Sequence, residues 1–439
     1  MREDIGTLLA AAPMRRLQIM VVALCIALNA LDGFDVLAIS FAAPGIAQEW
    51  GMDKAALGIV LSMELFGMAA GSVLIGNLAD RIGRRPVILG CLTVMAAGMF
   101  CATAANGLVM LCVTRVITGL GIGGMIACTS AMVAEYSNDR RRNLNVALNI
   151  AGYSTGAILG GLAAAALLEA GHSWRALFHF GGIVTLVALP LAFFLLPESI
   201  GSLLARRPAG ALERINTILA RLRHAPLDEL PAPAAKVERP SFRTLLSGEY
   251  GRATLLLTVA YFAQIMLFYY VVKWIPKIVV DMGFDAASAS RVLVGANIGN
   301  LSGAILIGIA AQRFSVRPLV IGAMLLGFVV ISLFGLGSGD LTRLTVIAGV
   351  AAFFINAGVV GLYPILAGTY PAALRASGTG FVIGMGRGGS ALGPVVAGAL
   401  FAGGGSLLTV SMTMGAGALI AAAMLFLLPA VREQEQPAG

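Results

Sequence analysis

Long apolar runs, each bounded by charged or turn residues, recur along almost the whole chain. Set against the 20 or so apolar residues that a helix needs to cross a bilayer, they predict twelve spans, at roughly 17–44, 55–79, 86–105, 107–134, 143–169, 175–196, 251–276, 288–312, 317–337, 341–368, 376–402 and 406–429. A polar segment at about 197–250 separates six spans from six. The expected architecture is therefore an all-α membrane protein with an N-terminal six-helix half (1–196), a cytoplasmic central loop (197–250) and a C-terminal six-helix half (251–439). Within the loop, Leu212, Ile215, Leu219 and Leu222 fall at helical spacing with Arg214, Arg221 and Arg223 between them. That pattern predicts an amphipathic helix on the membrane surface. The Pro-rich stretch from Pro226 to Pro240 reads as an irregular tether.

An internal repeat supports two halves. Gly76 to Gly90 aligns without gaps to Gly308 to Gly322, so that Gly76, Ala79, Arg81, Arg85, Pro86 and Gly90 meet Gly308, Ala311, Arg313, Arg317, Pro318 and Gly322. The same shift carries Gly152, Gly156 and Gly161 onto Gly384, Gly388 and Gly393. Two parallel six-helix repeats with a site near the midplane are a transporter architecture.

Composition excludes a conventional soluble enzyme: of 439 residues, 58% are hydrophobic and 12% charged, against about 25% charged in soluble domains. The net charge of +8 would suit nucleic acid, but the distribution of the cations explains it otherwise. Twenty-two of the thirty Lys and Arg fall in loops on one side, five on the other, and Arg115, Lys273 and Arg387 lie within spans. Positive residues concentrate on the cytoplasmic side, which puts both termini there and removes the argument for nucleic acid. The apolar run after Arg15 and Arg16 is too long for a signal peptide and has no convincing cleavage site, so it reads as an uncleaved first span. Five cysteines, all in apolar runs, and His172, His179 and His224 show no metal-ligand spacing.

Gly76-Asn-Leu-Ala-Asp80-Arg81-Ile-Gly83-Arg84-Arg85 resembles the signature loop of the major facilitator superfamily, and Arg115 through Gly119, Gly121 and Gly123 resembles its fourth-helix motif. Leu31-Asp32-Gly33-Phe34-Asp35, Pro197-Glu198-Ser199, Tyr370-Pro371 through Arg375, and Gly384 through Arg387 to Gly393-Pro394 resemble, more narrowly, the aromatic acid:proton symporter family. The resemblance implies import of an aromatic carboxylate with protons across a bacterial cytoplasmic membrane. Two departures are visible. Gln312 stands where the first half has Asp80, weakening the second loop's charge network, and Ala157 rather than proline follows Gly156, which favours symport over antiport.

Ionisable side chains inside spans are expensive and are therefore functional candidates. Asp32 and Asp35, three apart on a predicted helix, share nearly one face. Carboxylates so close disfavour simultaneous ionisation, which suits proton coupling; the alternative is structural pairing with an arginine such as Arg115. Arg115 can close an ion pair with Asp32, Asp35 or Glu64, and Glu64 can instead face a water-filled cavity. Arg387 is the first choice for the substrate anion because a guanidinium binds a carboxylate in bidentate fashion. Lys273 is a second cation, with snorkelling beside Trp274 as its alternative. Among the aromatics of the seventh and tenth spans (Tyr261, Phe262, Phe268, Tyr269, Tyr270, Phe353, Phe354, Tyr363), one or two are expected to line the pocket, with Gln264 and Asn356 as polar partners. Asp80, Arg81, Arg84 and Arg85, with Glu135 or Arg140 as partners, are expected to gate; positive-inside topology alone explains the arginines but not Asp80.

Two GxGxxG patterns (Gly119, Gly121, Gly124 and Gly384, Gly386, Gly389) lie inside membrane-length runs with no preceding strand, so helix packing rather than dinucleotide binding is expected. The expected partners are a small organic anion, protons and the bilayer, with no cofactor, no metal and a monomeric chain driven by the proton gradient. Rival readings are uptake or proton-exchange efflux of another small organic acid. A membrane receptor or membrane-embedded enzyme is a weaker rival, because the sequence has neither a sizeable soluble signalling domain nor a clustered nucleophile or metal set.

Overall fold

The computed structural model describes residues 12–231, 245–246, 248–337 and 339–429. Among them are twelve helices of at least 20 residues: α1 (Arg16–Trp50), α2 (Lys54–Ile82), α3 (Arg84–Thr103), α4 (Leu108–Glu135), α5 (Asp139–Glu169), α6 (Arg175–Leu195), α9 (Gly248–Asp281), α10 (Ala286–Ala310), α11 (Val316–Gly335), α12 (Leu341–Thr369), α13 (Ala372–Ala402) and α14 (Leu407–Phe426). Two short helices, α7 (Ile200–Arg206) and α8 (Ala211–Arg221), lie between α6 and α9. Eleven of the long helices are apolar enough to cross a membrane; the twelfth long helix, α13, is continuous, and glycines and Arg387 interrupt its apolar run. They are apolar nearly all round because one face meets protein and the other meets lipid. Val21, Leu61 and Ile122 are buried, whereas Ile150, Leu162 and Phe194 point outward.

Short polar caps punctuate the helices. Asp53, Asn138, Ser199, Asp340 and Ser406 each accept a hydrogen bond from a first-turn amide. The first helix overruns its expected end near residue 44 and continues through Pro44 to Gly51, whose φ of 59° stops it. Proline costs one ladder bond there, but neighbouring helices support it.

Close packing follows the glycines. A Cβ on Gly156 of α5 would collide with the Ala30 carbonyl of α1, and one on Gly393 of α13 with the Met266 carbonyl of α9. The repeat thus joins the first helix to the fifth in each six-helix series. Its arginines are used alike as well: Arg85 donates to the Phe193 carbonyl at 2.7 Å, and Arg317 to the carbonyls of Phe426 and Leu428 at 2.9 and 2.6 Å. Each guanidinium meets the negative end of a helix, where cations are favoured.

The chain divides into two compact units, one of Met1–Lys236 with Phe284–Val294, the other of Val237–Gly283 with Gly295–Gly439. An ion pair between Arg291 and Glu169 and the packing of Val294 at Gly161 explain why Phe284–Val294 belongs to the first. Helix α8 corrects one expectation. Its apolar stripe (Ala211, Ile215, Ile218, Leu219 and the following Leu222) is buried against protein instead of lying on the membrane. Asn216 fastens the following turn through two hydrogen bonds to Leu227. The expected tether lies outside the described residues beyond Pro231.

Candidate functional site

Four ionisable side chains converge in the first unit. Asp32 and Asp35 lie one turn apart on α1, Glu64 on α2 and Arg115 on α4, and all four are fully buried. Small residues bring the helices this close: a Cβ on Gly119 would strike the Glu64 carbonyl, and one on Gly67 that of Val116. Of its possible partners Arg115 takes Glu64, with Nη1 3.6 Å from Oε1. The guanidinium also lies 4.6 Å from the Phe178 ring centroid and donates to the Gly98 carbonyl at 3.3 Å. Asp35 is within electrostatic reach of both Glu64 and Arg115, and Asp32 of Asp35. Neither aspartate accepts a hydrogen bond among the described residues. Among the described residues Glu64 and Asp35 thus face the Arg115 guanidinium and Asp32 faces Asp35, and the three carboxyl groups ionised together would crowd negative charge into a low-dielectric interior.

A second cluster occupies the other unit. Arg387 sits half-buried midway along α13. Gly386 beside it leaves no room for a side chain because the Tyr261 ring of α9 fills that space, and the guanidinium is within electrostatic reach of the Tyr261 hydroxyl. That hydroxyl lies 3.3 Å from the Tyr363 hydroxyl of α12, with ring centroids 6.2 Å apart. Tyr269, two turns further along α9, is also within electrostatic reach of Tyr261 and stacks edge-on with Phe268 at 5.2 Å. Tyr363 keeps 41% of its surface exposed. A cation beside partly open phenol rings can take an anion attached to an aromatic ring.

Other expected pocket residues are placed differently. The Tyr270 hydroxyl bonds that of Ser411 on α14 at 2.9 Å, in a fully buried contact. Gln264 Nε2 donates to the Ile355 carbonyl at 2.9 Å, and Asn356 Nδ2 to the Asn300 carbonyl at 2.7 Å. These groups tie α9 to α14, α9 to α12 and α12 to α10. Lys273 does not snorkel outward; it is fully buried beside Trp274, whose indole donates to the Pro394 carbonyl at 3.1 Å.

At the α2–α3 loop, Arg84 forms an ion pair with Glu135, which also accepts from the Ser199 hydroxyl. Glu198, unassigned at the sequence level although Pro197-Glu198-Ser199 marked it, accepts from the Arg84 and Arg85 amides at 2.9 and 3.3 Å and caps α3. Tyr136 donates to the Glu198 carbonyl at 2.7 Å. Asp80, Arg81 and Arg140 are exposed and form no ion pair among the described residues.

The sequence profile of the Major Facilitator Superfamily matches residues 24–302, and the chain belongs to that superfamily. It is a multi-pass membrane transporter, not an enzyme. It is 30% identical over 395 residues to the 4-hydroxybenzoate transporter PcaK of Pseudomonas putida, covering 89% of this chain and 88% of the relative. To the gallate transporter of Pseudomonas putida it is 32% identical over 397 residues, covering 88% and 86%. Among solved structures, a D-xylose-proton symporter shares its fold with a TM-score of 0.70 at 18% identity, covering 94% of this chain and 98% of the other.

Proposed function

We propose that this chain is a proton-coupled symporter that imports an aromatic carboxylate of the hydroxybenzoate type by alternating access. It works in the bacterial cytoplasmic membrane with both termini cytoplasmic. The observation that carries the reading is Arg387, a half-buried cation midway along a membrane helix and beside the paired phenols of Tyr261 and Tyr363. The substrate carboxylate pairs with the guanidinium and its ring packs on the tyrosines. Hydrogen bonds to a charged group contribute about 1.5–3 kcal/mol and an aromatic pair about 0.5–1.5 kcal/mol. The cargoes that name the relatives, 4-hydroxybenzoate and gallate, are both carboxylates on hydroxylated rings. In the first unit, Asp32, Asp35 and Glu64 supply more acid than Arg115 balances. A proton that boards this cluster offsets the charge of the anion carried with it. Coupling then requires that anion and proton both favour the same conformation, since a ligand shifts an equilibrium only by its differential affinity.

The test is uptake of labelled 4-hydroxybenzoate into sealed proteoliposomes that hold the purified protein. Accumulation is expected when the outside is made more acidic than the inside, and its collapse when a protonophore is added. Equal uptake with and without the gradient would refute symport. No uptake of any benzoate or hydroxybenzoate, alongside uptake of an aliphatic acid, would refute the substrate class.

A further inference from the structure

The two repeats use their shared loop arginines alike but differ in the acids beside them. In the first, Glu135 neutralises Arg84, while Glu198 holds the backbone of Arg84 and Arg85. In the second, Gln312 stands in place of Asp80, and from Ala286 to Pro429 the sequence holds one acidic residue, Asp340, which caps α12 at the far end of α11 from this loop. Arg317 spends its guanidinium on neutral carbonyls, and Arg313 is exposed with no ion pair among the described residues. Among the described residues, the α10–α11 loop therefore keeps a positive field that acids beside the α2–α3 loop cancel there.

An apolar crevice opens beside this loop. It has a volume of about 560 Å³ and lies between α10, α11 and α12, with Leu306, Phe314, Leu319, Leu326, Phe353 and Ala357 among its walls. Phe314 and Ser315 border it next to Arg313, and the eleven steps from Ser315 to Leu326 carry it about 16 Å along the helix axis. Its floor is the buried cluster of Ile307, Ala323 and Ala357. Leu306 and Leu326 remain 51% and 47% exposed on membrane-spanning helices, so the crevice faces the hydrocarbon.

We propose that this crevice seats an acyl chain of an anionic phospholipid from the cytoplasmic leaflet, with the lipid phosphate at Arg313. The chain packs against apolar walls that run the depth of the leaflet, and a basic loop at the headgroup depth favours an anionic over a zwitterionic lipid. The choice of leaflet rests on the orientation proposed above. The site itself does not, so its test fails or succeeds separately.

The full-length protein in detergent is titrated with phosphatidylglycerol and, separately, phosphatidylcholine of identical chains, and retained lipid is counted by native mass spectrometry. Phosphatidylglycerol is expected to be retained about fivefold over phosphatidylcholine, the effect of one surface cation. Arg313→Gln is expected to abolish that preference and Arg313→Lys to keep it. Gly322→Leu puts a side chain into open space on the crevice wall and is expected to lose both lipids with an unchanged melting temperature. Equal retention of the two lipids by the wild type, an unaltered preference in Arg313→Gln, or undiminished lipid in Gly322→Leu would overturn the proposal. Arg313 is exposed, so its variants decide the matter even if Gly322→Leu does not fold.

Discussion

Arg115 on α4 and Glu64 on α2 face each other across 3.6 Å with both side chains fully withdrawn from solvent. The pair ties two helices whose glycines already hold them in contact, and Phe178 closes it from α6. Asp35 lies within reach of both charges and Asp32 one turn away, so any change of charge on α1 is felt at a junction of three other helices. In the proposed symport, protonation on α1 acts on helix position through that junction.

Breaking such a pair from one side leaves a buried charge without its partner, at a cost of about 3–5 kcal/mol. Arg115→Ala is therefore expected to lower the melting temperature of the detergent-solubilised protein sharply. The double variant Glu64→Gln with Arg115→Met removes both charges and is expected to regain most of that loss. A melting temperature in Arg115→Ala equal to the wild type's would show that the pair does not hold the helices.

Substrate affinity is expected to depend on the shape of the Arg387 cation as well as its charge. Arg387→Ala should weaken 4-hydroxybenzoate binding by about 10- to 150-fold, corresponding to the 1.5–3 kcal/mol of a charged hydrogen bond. Arg387→Lys should recover only part of this, because an ammonium lacks the planar fork. Isothermal titration of the purified variants measures both, and unchanged affinity in Arg387→Ala would remove Arg387 from the site.

Glu198 caps α3 from a distance of more than a hundred residues in the chain. Glu198→Ala is expected to cost about 1 kcal/mol, typical of a lost cap, and to speed amide exchange at Arg84 and Arg85 about fivefold. Glu198→Gln, which can still accept, should fall between. Exchange at those amides that is insensitive to both substitutions would exclude the cap.

Asp285 begins α10, where the Ser288 amide and hydroxyl donate to it at 2.8 and 2.7 Å. These bonds hold its carboxyl below the ordinary carboxylate range. A lowered folded value means that the stabilisation is present above the unfolded value, about 3.9, and is lost as pH falls through the folded one. Asp285→Ala is expected to reduce thermal stability slightly at pH 7 and not at pH 2. An equal loss at both would show that the charge plays no part.

The helices were legible because lipid leaves the backbone no other choice: each span must satisfy its own hydrogen bonds over about 20 residues, and that writes itself as uninterrupted apolar runs. The buried carboxylates were legible for the converse reason, since a charge inside such a run is too costly to be incidental. Partnership was not legible. Sequence spacing allowed Arg115 three acids, and only the close approach of α2 and α4 at Gly119 and Gly67 selects Glu64. Tyr270 and Tyr269 are adjacent in sequence yet meet different neighbours, one the hydroxyl of Ser411 on α14 and the other the ring of Phe268, because successive residues on a helix point about 100° apart. The stripe on α8 looked like a membrane face because an amphipathic pattern says that something apolar covers it without saying whether that is lipid or protein.

The most direct test of coupling follows proton movement itself. Proteoliposomes with no imposed gradient are mixed with 4-hydroxybenzoate while a dye reports external pH. The wild type is expected to alkalinise the medium as anion and proton enter together, and Asp32→Asn, Asp35→Asn or both are expected to abolish the signal while 4-hydroxybenzoate still binds. Substrate entry with no pH change in the wild type, or undiminished alkalinisation in both variants, would contradict the account.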